Sequence, residues 1–145
     1  MDCGQRPGSP RYLGIMTADG ESLVDRETLF AAIRRSWGPD TSADSGWSAS
    51  CPAKGQCAVT ALVVQDYLGG QLLRAGIGGV SHYWNAVQDE ELDLTRQQFP
   101  DFTPEGTCGR TREYVLSFPG TARRYGTLRE RVAAALGQES AKPAT

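Results

Sequence analysis

With 145 residues, the chain is long enough to bury a real apolar core without metals or disulfides, and it fits one domain rather than two. Hydrophobic residues make up 39% and charged residues 22%, the balance of an ordinary soluble globular protein. The net charge of −2 provides no overall field that would favour nucleic acid or an anionic membrane.

No apolar run approaches the roughly 20 residues needed to span a bilayer. The first thirty residues lack a basic start followed by an apolar block, so a secretory signal is not expected and the chain reads as cytoplasmic. Thiols there normally stay reduced. The four cysteines, Cys3, Cys51, Cys57 and Cys108, are irregularly spaced, and structural disulfides are not expected of them. His82 is the single histidine, so any chemistry needing an imidazole must use it.

In chain order, residues 1–20 are rich in Gly, Pro and polar side chains and read as a flexible arm. The domain proper is expected over 21–137. A first helix is predicted over about Arg26–Trp37, with Asp25 as N-cap, Leu29, Ile33 and Trp37 at helical spacing, and Gly38-Pro39 as its stop. Residues 38–54 read as a loop whose one large apolar residue is Trp47. A second helix is predicted over Gln56–Leu68, closed by Gly69-Gly70. It is apolar at nearly every position up to Gln65, as a central buried helix would be.

Beyond the glycines at 76, 78 and 79, a strand is predicted over Val80–Val87, then a polar hairpin turn at Gln88–Glu91 and a short strand over about Glu91–Thr95. Residues 99–112 read as irregular, and a third strand is expected over about Glu113–Phe118. A closing helix is predicted over about Leu128–Leu136, started by a Thr127-x-x-Glu130 capping box and packed through Leu128, Val132 and Leu136. Residues 138–145 read as a disordered tail. Helices first, then an antiparallel sheet, then a closing helix is an α+β layout.

Cys57 falls in the first turn of the predicted buried helix. A thiol becomes a good nucleophile as thiolate, and both a helix N-terminus and a nearby imidazolium stabilise that anion. The first-turn amides could also bind a developing oxyanion, and Gly55 would let a substrate backbone approach. By position alone, Cys57 serves equally well as a small core residue opening an apolar helix. His82 lies in the strand S-H-Y-W-N, where a lone histidine is more often structural. The hairpin alters that balance. With the turn centred at Gln88-Asp89 or Asp89-Glu90, His82 and Asp93 share a sheet face as near-diagonal neighbours, and a carboxylate there can orient the ring. A register shift of one residue would separate them. Asn85, three residues along the same strand, is the competing third member, but its side chain should point the other way.

A cysteine opening a central helix, a histidine on the next strand and an aspartate on the one after resemble, in that order, the arrangement of papain-like and transglutaminase-like enzymes. The stretches GQCAVTALVVQDYLGG, SHYWN and ELDLTRQQF resemble the small bacterial YunG-type proteins placed in that superfamily, and D-L-T-x-x-Q-F echoes the D-P-T-x-x-Q-F of several members. The resemblance covers about Leu29–Val132. It implies a papain-like or transglutaminase-like fold, a helix carrying the cysteine packed on a small antiparallel sheet, and a Cys57, His82, Asp93 triad. Papain-type enzymes carry an oxyanion glutamine several residues before the cysteine, whereas Gln56 is adjacent to Cys57 and serves either the oxyanion hole or the helix cap. The chain has no room for a protease's full substrate-binding domain.

Trp84 shares a face with His82 by alternation, and would shield the site, stack on a substrate or simply fill the core. Trp47 and Ser48 are candidate pocket walls. Cys51, Cys57, Cys108 and His82 offer an alternative Cys3His zinc site, although C-x5-C is wider than the usual knuckle. Arg110, Arg112, Arg123, Arg124, Arg129 and Arg131 concentrate positive charge in the last third. They could meet a phosphate or carboxylate substrate, but more commonly such residues solvate a surface and pair with acids. The expected activity is acyl transfer or hydrolysis of an amide or thioester through a thioacyl-enzyme. The expected substrate is a small molecule, a peptide or an acyl-carrier-linked group, with no organic cofactor, nucleic acid or membrane partner. A non-catalytic binding module of the same fold is the alternative.

Overall fold

The structure, a computed structural model, describes residues 24–99 and 101–140, without the side chains of 138–140. The expected arm at 1–20 and the tail beyond Ser140 lie outside the described residues. Among the described residues, four α-helices and a four-stranded antiparallel sheet make an α+β fold.

Helix α1 (Arg26–Ser36) begins as the sequence predicts. Asp25 accepts a hydrogen bond from the Thr28 amide at 2.8 Å, and Leu29 and Ile33 are fully buried. Helix α2 (Cys57–Leu68) is almost apolar and is surrounded: its residues from Val59 to Val64 are all buried. Burying a residue such as Leu62 contributes about 1.5–3 kcal/mol. Gly69 takes φ 73° at the C-cap, and Gly70 takes φ 83° where an added Cβ would lie 2.3 Å from the Ala86 carbonyl oxygen. That close approach turns the chain straight from α2 into the sheet.

The sheet comprises β1 (Gln71–Ile77), β2 (Val80–Val87), β3 (Glu90–Leu92) and β4 (Glu105–Arg110), in the order β3-β2-β1-β4. Two of these strands depart from the sequence expectation. The stretch leading into the glycines at 76, 78 and 79, for which no element is predicted, is β1, an inner strand paired to both β2 and β4. Its Leu72 and Leu73 are buried on opposite faces, and that two-sided burial hides the period-2 signal. Strand β4 lies inside the segment read as irregular, where Gly106 and Gly109 supply no side chains to the alternation.

The third predicted strand is instead a short helix, α3 (Arg112–Leu116). Thr111 caps it by accepting from the Tyr114 amide at 3.0 Å, and this cap overrides the strand propensity of Tyr114 and Val115. Helix α4 (Pro119–Ser140) starts nine residues earlier than predicted, with Pro119 at its first position. The expected Thr127 cap does not form, because Thr127 is mid-helix and its hydroxyl donates to the Arg123 carbonyl four residues back. The inward stripe Leu128, Val132, Leu136 is buried as predicted.

Helices α1, α2 and α4 enclose one core, while Ala61 and Leu62 of α2 meet Leu72 and Tyr83 on the near face of the sheet. The far face carries Leu73, Ala75, Trp84 and Ala86, and Phe102 lies against Trp84 there. Among the described residues, no helix is long and apolar enough to cross a membrane.

Candidate active site

Cys57 is the first residue of α2. Thr60 makes the first helical hydrogen bond, to the Gln56 carbonyl at 3.0 Å, so helix geometry leaves the amides just before it without intrahelical partners. Gly55, at φ 73°, sets the approach. A Cβ there would lie 2.3 Å from Ser42 Oγ and 2.7 Å from the Asp44 amide. The glycine thus admits the 42–44 loop rather than a substrate backbone, correcting the sequence expectation.

Tyr83 and Asn85 face α2, whereas His82 and Trp84 point to the far side of the sheet. The thiol and the imidazole therefore meet around the edge of β2. Pairing of β3 with β2 ends at Leu92 opposite Asn85, which leaves that edge open at residues 80–83. The Cys57 sulfur sits at this edge, donating a long hydrogen bond to the Ser81 carbonyl at 3.9 Å.

The hairpin turns between Gln88 and Asp89, with Val87 opposite Glu90. Continued past Leu92, this register makes His82 and Asp93 diagonal neighbours on one face, and His82 Nε2 lies 2.7 Å from Asp93 Oδ2. Asp93 is itself held: its Oδ1 accepts from the Thr95 amide at 3.2 Å and from the Thr95 hydroxyl at 3.4 Å. Trp84 stacks on the His82 ring at 5.4 Å between centroids, and Phe99 and Phe102 meet the ring edge-on at 4.7 and 5.8 Å.

The ring is fully buried, and its Nδ1 has no formed hydrogen-bond partner. Burial alone would lower its pKa. The hydrogen bond to Asp93, the nearness of the Cys57 thiol and the charges of both outweigh burial and push it up to about 9. Nε2 faces the Asp93 carboxylate and donates to it, and with the pKa near 9 the second proton rests on Nδ1, toward the Cys57 sulfur, at neutral pH.

The YunG protein family matches residues 25–137. The chain belongs to that family. It is similar to the Uncharacterized protein YunG of Bacillus subtilis (strain 168), at 37% identity over 67 residues. That alignment covers 46% of this chain and 56% of the relative, so the chain spans about half the length of the curated relative it matches. No solved structure matches.

The other candidate residues of this YunG chain separate by geometry. Gln56 is buried, with its Oε1 accepting from Thr41 Oγ1 at 2.8 Å and its Nε2 donating to the Gly38 carbonyl at 3.0 Å. It ties the start of α2 to the end of α1, and its side chain is neither the helix cap nor turned to the site. Asn85 donates to the Ala61 carbonyl at 2.9 Å on the near face, bracing α2 rather than contacting His82. Trp84 donates to Glu91 Oε1 at 3.0 Å and packs beneath the ring. Trp47 donates to the Pro52 carbonyl at 2.9 Å, and the Ser48 and Ser50 hydroxyls share a hydrogen bond at 2.8 Å. Neither Trp47 nor Ser48 lines the cavity beside Cys57, whose loop wall is formed by Ala43, Asp44 and Ser45. Among the described residues, no group of three or more His, Cys, Asp or Glu side chains is placed to hold a metal ion, and Cys108 Sγ instead accepts from Arg110 at 3.0 Å. The Cys51, Cys57, Cys108, His82 set is not gathered into a zinc site.

The cavity beside Cys57 has a volume of about 570 Å³, within the range of small-molecule sites. Gln98, which sequence reasoning did not single out, lines it. Its Oε1 accepts from the Gly55 amide at 3.1 Å, which fixes the other end of the side chain as the NH2 group. That Nε2 is buried with no partner. The signal was present in D-L-T-x-x-Q-F: Asp93 bonds the ring, Thr95 holds Asp93, Gln98 reaches the loop before Cys57, and Phe99 packs on the ring.

Proposed function

We propose that this protein is a cysteine-nucleophile acyl-transfer enzyme, a hydrolase or amide-forming transferase, of the papain-like and transglutaminase-like kind. The observation that carries the reading is the state of His82: one nitrogen is bonded to Asp93, and the other is buried without a partner beside the thiol that opens α2. The chain order of helix cysteine, strand histidine and following aspartate supports the superfamily placement.

In the first step the Cys57 sulfur, whose proton already rests on His82 Nδ1, attacks the carbonyl carbon of an amide or thioester. The carbonyl π electrons move to oxygen. The resulting oxyanion takes hydrogen bonds from the first-turn amides of α2 and from Gln98 Nε2. When the tetrahedral adduct collapses, the bond to the leaving group breaks and that group takes the proton from Nδ1. A thioacyl-enzyme remains. Water or an amine then gives its proton to Nδ1 and attacks the thioester carbon, the C–S bond breaks, and the pair of Cys57 thiolate and protonated His82 is restored. Asp93 holds the ring in the tautomer this cycle needs. A reduced cytoplasmic setting would keep the nucleophile free.

Mixing the protein with p-nitrophenyl acetate tests this. Cys57 should gain an acetyl group, seen by mass spectrometry, with release of p-nitrophenol. His82→Ala should slow the step on the order of a hundredfold, and Gln98→Met about tenfold. Acetylation of Cys57 no faster than that of Cys51, and indifferent to His82→Ala, would overturn the reading in favour of a binding module.

A further inference from the structure

Six arginines crowd the last third of the chain, and the structure separates them by what they meet. Arg112 reaches Asp66 Oδ1 at 2.6 Å and Gln65 Oε1 at 2.8 Å, and Arg131 pairs with Asp40. Arg110 bonds Cys108 and lies over the Tyr114 ring. Arg123 and Arg129 are exposed. Arg124 differs from all of these. It is half-buried on α4, its Nε is buried without a hydrogen-bond partner, and it lines the same cavity as Cys57. Among the described residues no carboxylate pairs with it. Burial and the neighbouring Arg123 both work against its charge.

A half-buried guanidinium with an unmet donor is costly unless something brings an acceptor to it. The acid in the same cavity is already engaged. Asp44 accepts from the Gly46 amide at 2.7 Å and lies 3.9 Å from Lys54 Nζ. The remaining wall is largely apolar, through Val59, Val80 and Phe118, and the last two are 55% and 45% exposed large hydrophobics at the cavity. Exposed apolar side chains beside a cleft are the surface an apolar ligand would cover.

We infer that the cavity beside Cys57 takes an acyl substrate bearing an acidic group, which Arg124 binds, and an apolar portion, which lies against Val59, Val80 and Phe118. The inference deepens the acyl-transfer reading and rests on it for the word substrate, but the binding claim can be tested without turnover. Arginine suits the role because its planar fork bonds a carboxylate or phosphate through two donors at once.

The test compares alkylation of Cys57 by iodoacetate, which is anionic, and iodoacetamide, which is neutral. Tryptic cleavage after Lys54 separates the Cys57 peptide from that of Cys51, so Cys51 serves as an internal reference outside the cavity. Arg124→Gln is expected to slow iodoacetate at Cys57 roughly three- to tenfold while leaving iodoacetamide within about twofold. Arg124→Lys should retain most of the iodoacetate rate, and Arg123→Gln should change neither reagent. Equal slowing of both reagents in Arg124→Gln, or an equal effect of Arg123→Gln, overturns the subsite, the latter because it would reveal only a general field.

A second measurement needs no variant. Hexanoate should protect Cys57 of the unaltered protein from iodoacetamide, and hexanamide should not; equal protection by the two overturns the acidic preference. The outcomes also separate the two claims. If reagent preference follows Arg124 while His82→Ala leaves alkylation unchanged, the subsite stands and the nucleophile reading falls. The reverse pattern removes the subsite alone.

Discussion

On the near face of the sheet, Leu72 and Tyr83 meet α2, and behind α2 the stripes of α1 and α4 close a core of fully buried leucines, isoleucine and valines. On the far face, Trp84 and the His82 ring are met by Phe99 and Phe102, from a segment whose described residues form one 3-10 turn and no other regular structure before β4. One side is held by area, the other by a few directed contacts around one imidazole. Cys57 belongs to the first side and His82 to the second, and the open edge of β2 is where they meet. A rigid helical side presents the sulfur, and the far side tunes the group it faces. Substitutions on the two sides should therefore fail differently.

The largest expected effect lies on the helical side. Leu62 is fully buried between α2 and the sheet, and Leu62→Ala should cost about 2–5 kcal/mol in denaturant unfolding. In the fraction that remains folded, the rate of Cys57 alkylation should be nearly unchanged. If that rate instead falls in proportion to stability, the two sides are not separable.

A smaller effect is expected from the far side, and it depends on pH. The folded His82 pKa is raised to about 9 from an ordinary 6.5. Below about pH 6.5 the ring is protonated folded and unfolded, so its stabilisation is fully present. Between 6.5 and 9 the unfolded chain sheds the proton while the folded one keeps it, and stability declines; above 9 the contribution is gone. The loss should reach about 3 kcal/mol at most. Denaturant curves across that window should show the decline in the wild type and a flatter profile in His82→Gln and Asp93→Asn. A wild-type profile as flat as theirs would mean the ring carries no charge in the folded protein.

The same division decides what could be read from sequence. The cap at Asp25, the α1 stripe, the apolar run of α2 and the Leu128, Val132, Leu136 face are periodic, and the structure has them where periodicity places them. His82 and Asp93 were legible together because a two-residue turn fixes which strand residues share a face. Strands β1 and β4 were not legible, since two-sided burial and glycines erase alternation. Gln56, Trp47 and Ser48 were misassigned because closeness in sequence to Cys57 does not fix direction. Their side chains turn to Gly38, Pro52 and Ser50. Gln98 and Arg124, remote in sequence, reach the cavity through the path of the chain.

The smallest effect sharpens the comparison most, because it touches the site without touching a core. The Thr95 hydroxyl and amide both bond Asp93 Oδ1, at 3.4 and 3.2 Å. Thr95→Val keeps the shape and the amide bond and removes the longer, weaker contact, although Thr95 is buried and the new methyl stays covered. The stability cost should be about 0.5–1.5 kcal/mol, the usual range for one hydrogen bond. Asp93 would then be free to swing on a single tether, and the imidazole it orients would loosen with it. Cys57 alkylation should slow several-fold near neutral pH, and the pH window over which stability declines should end below pH 9, while Leu62→Ala moves neither. Loss of stability with an unmoved pH profile would mean that Thr95 only packs and that Asp93 holds the ring without help.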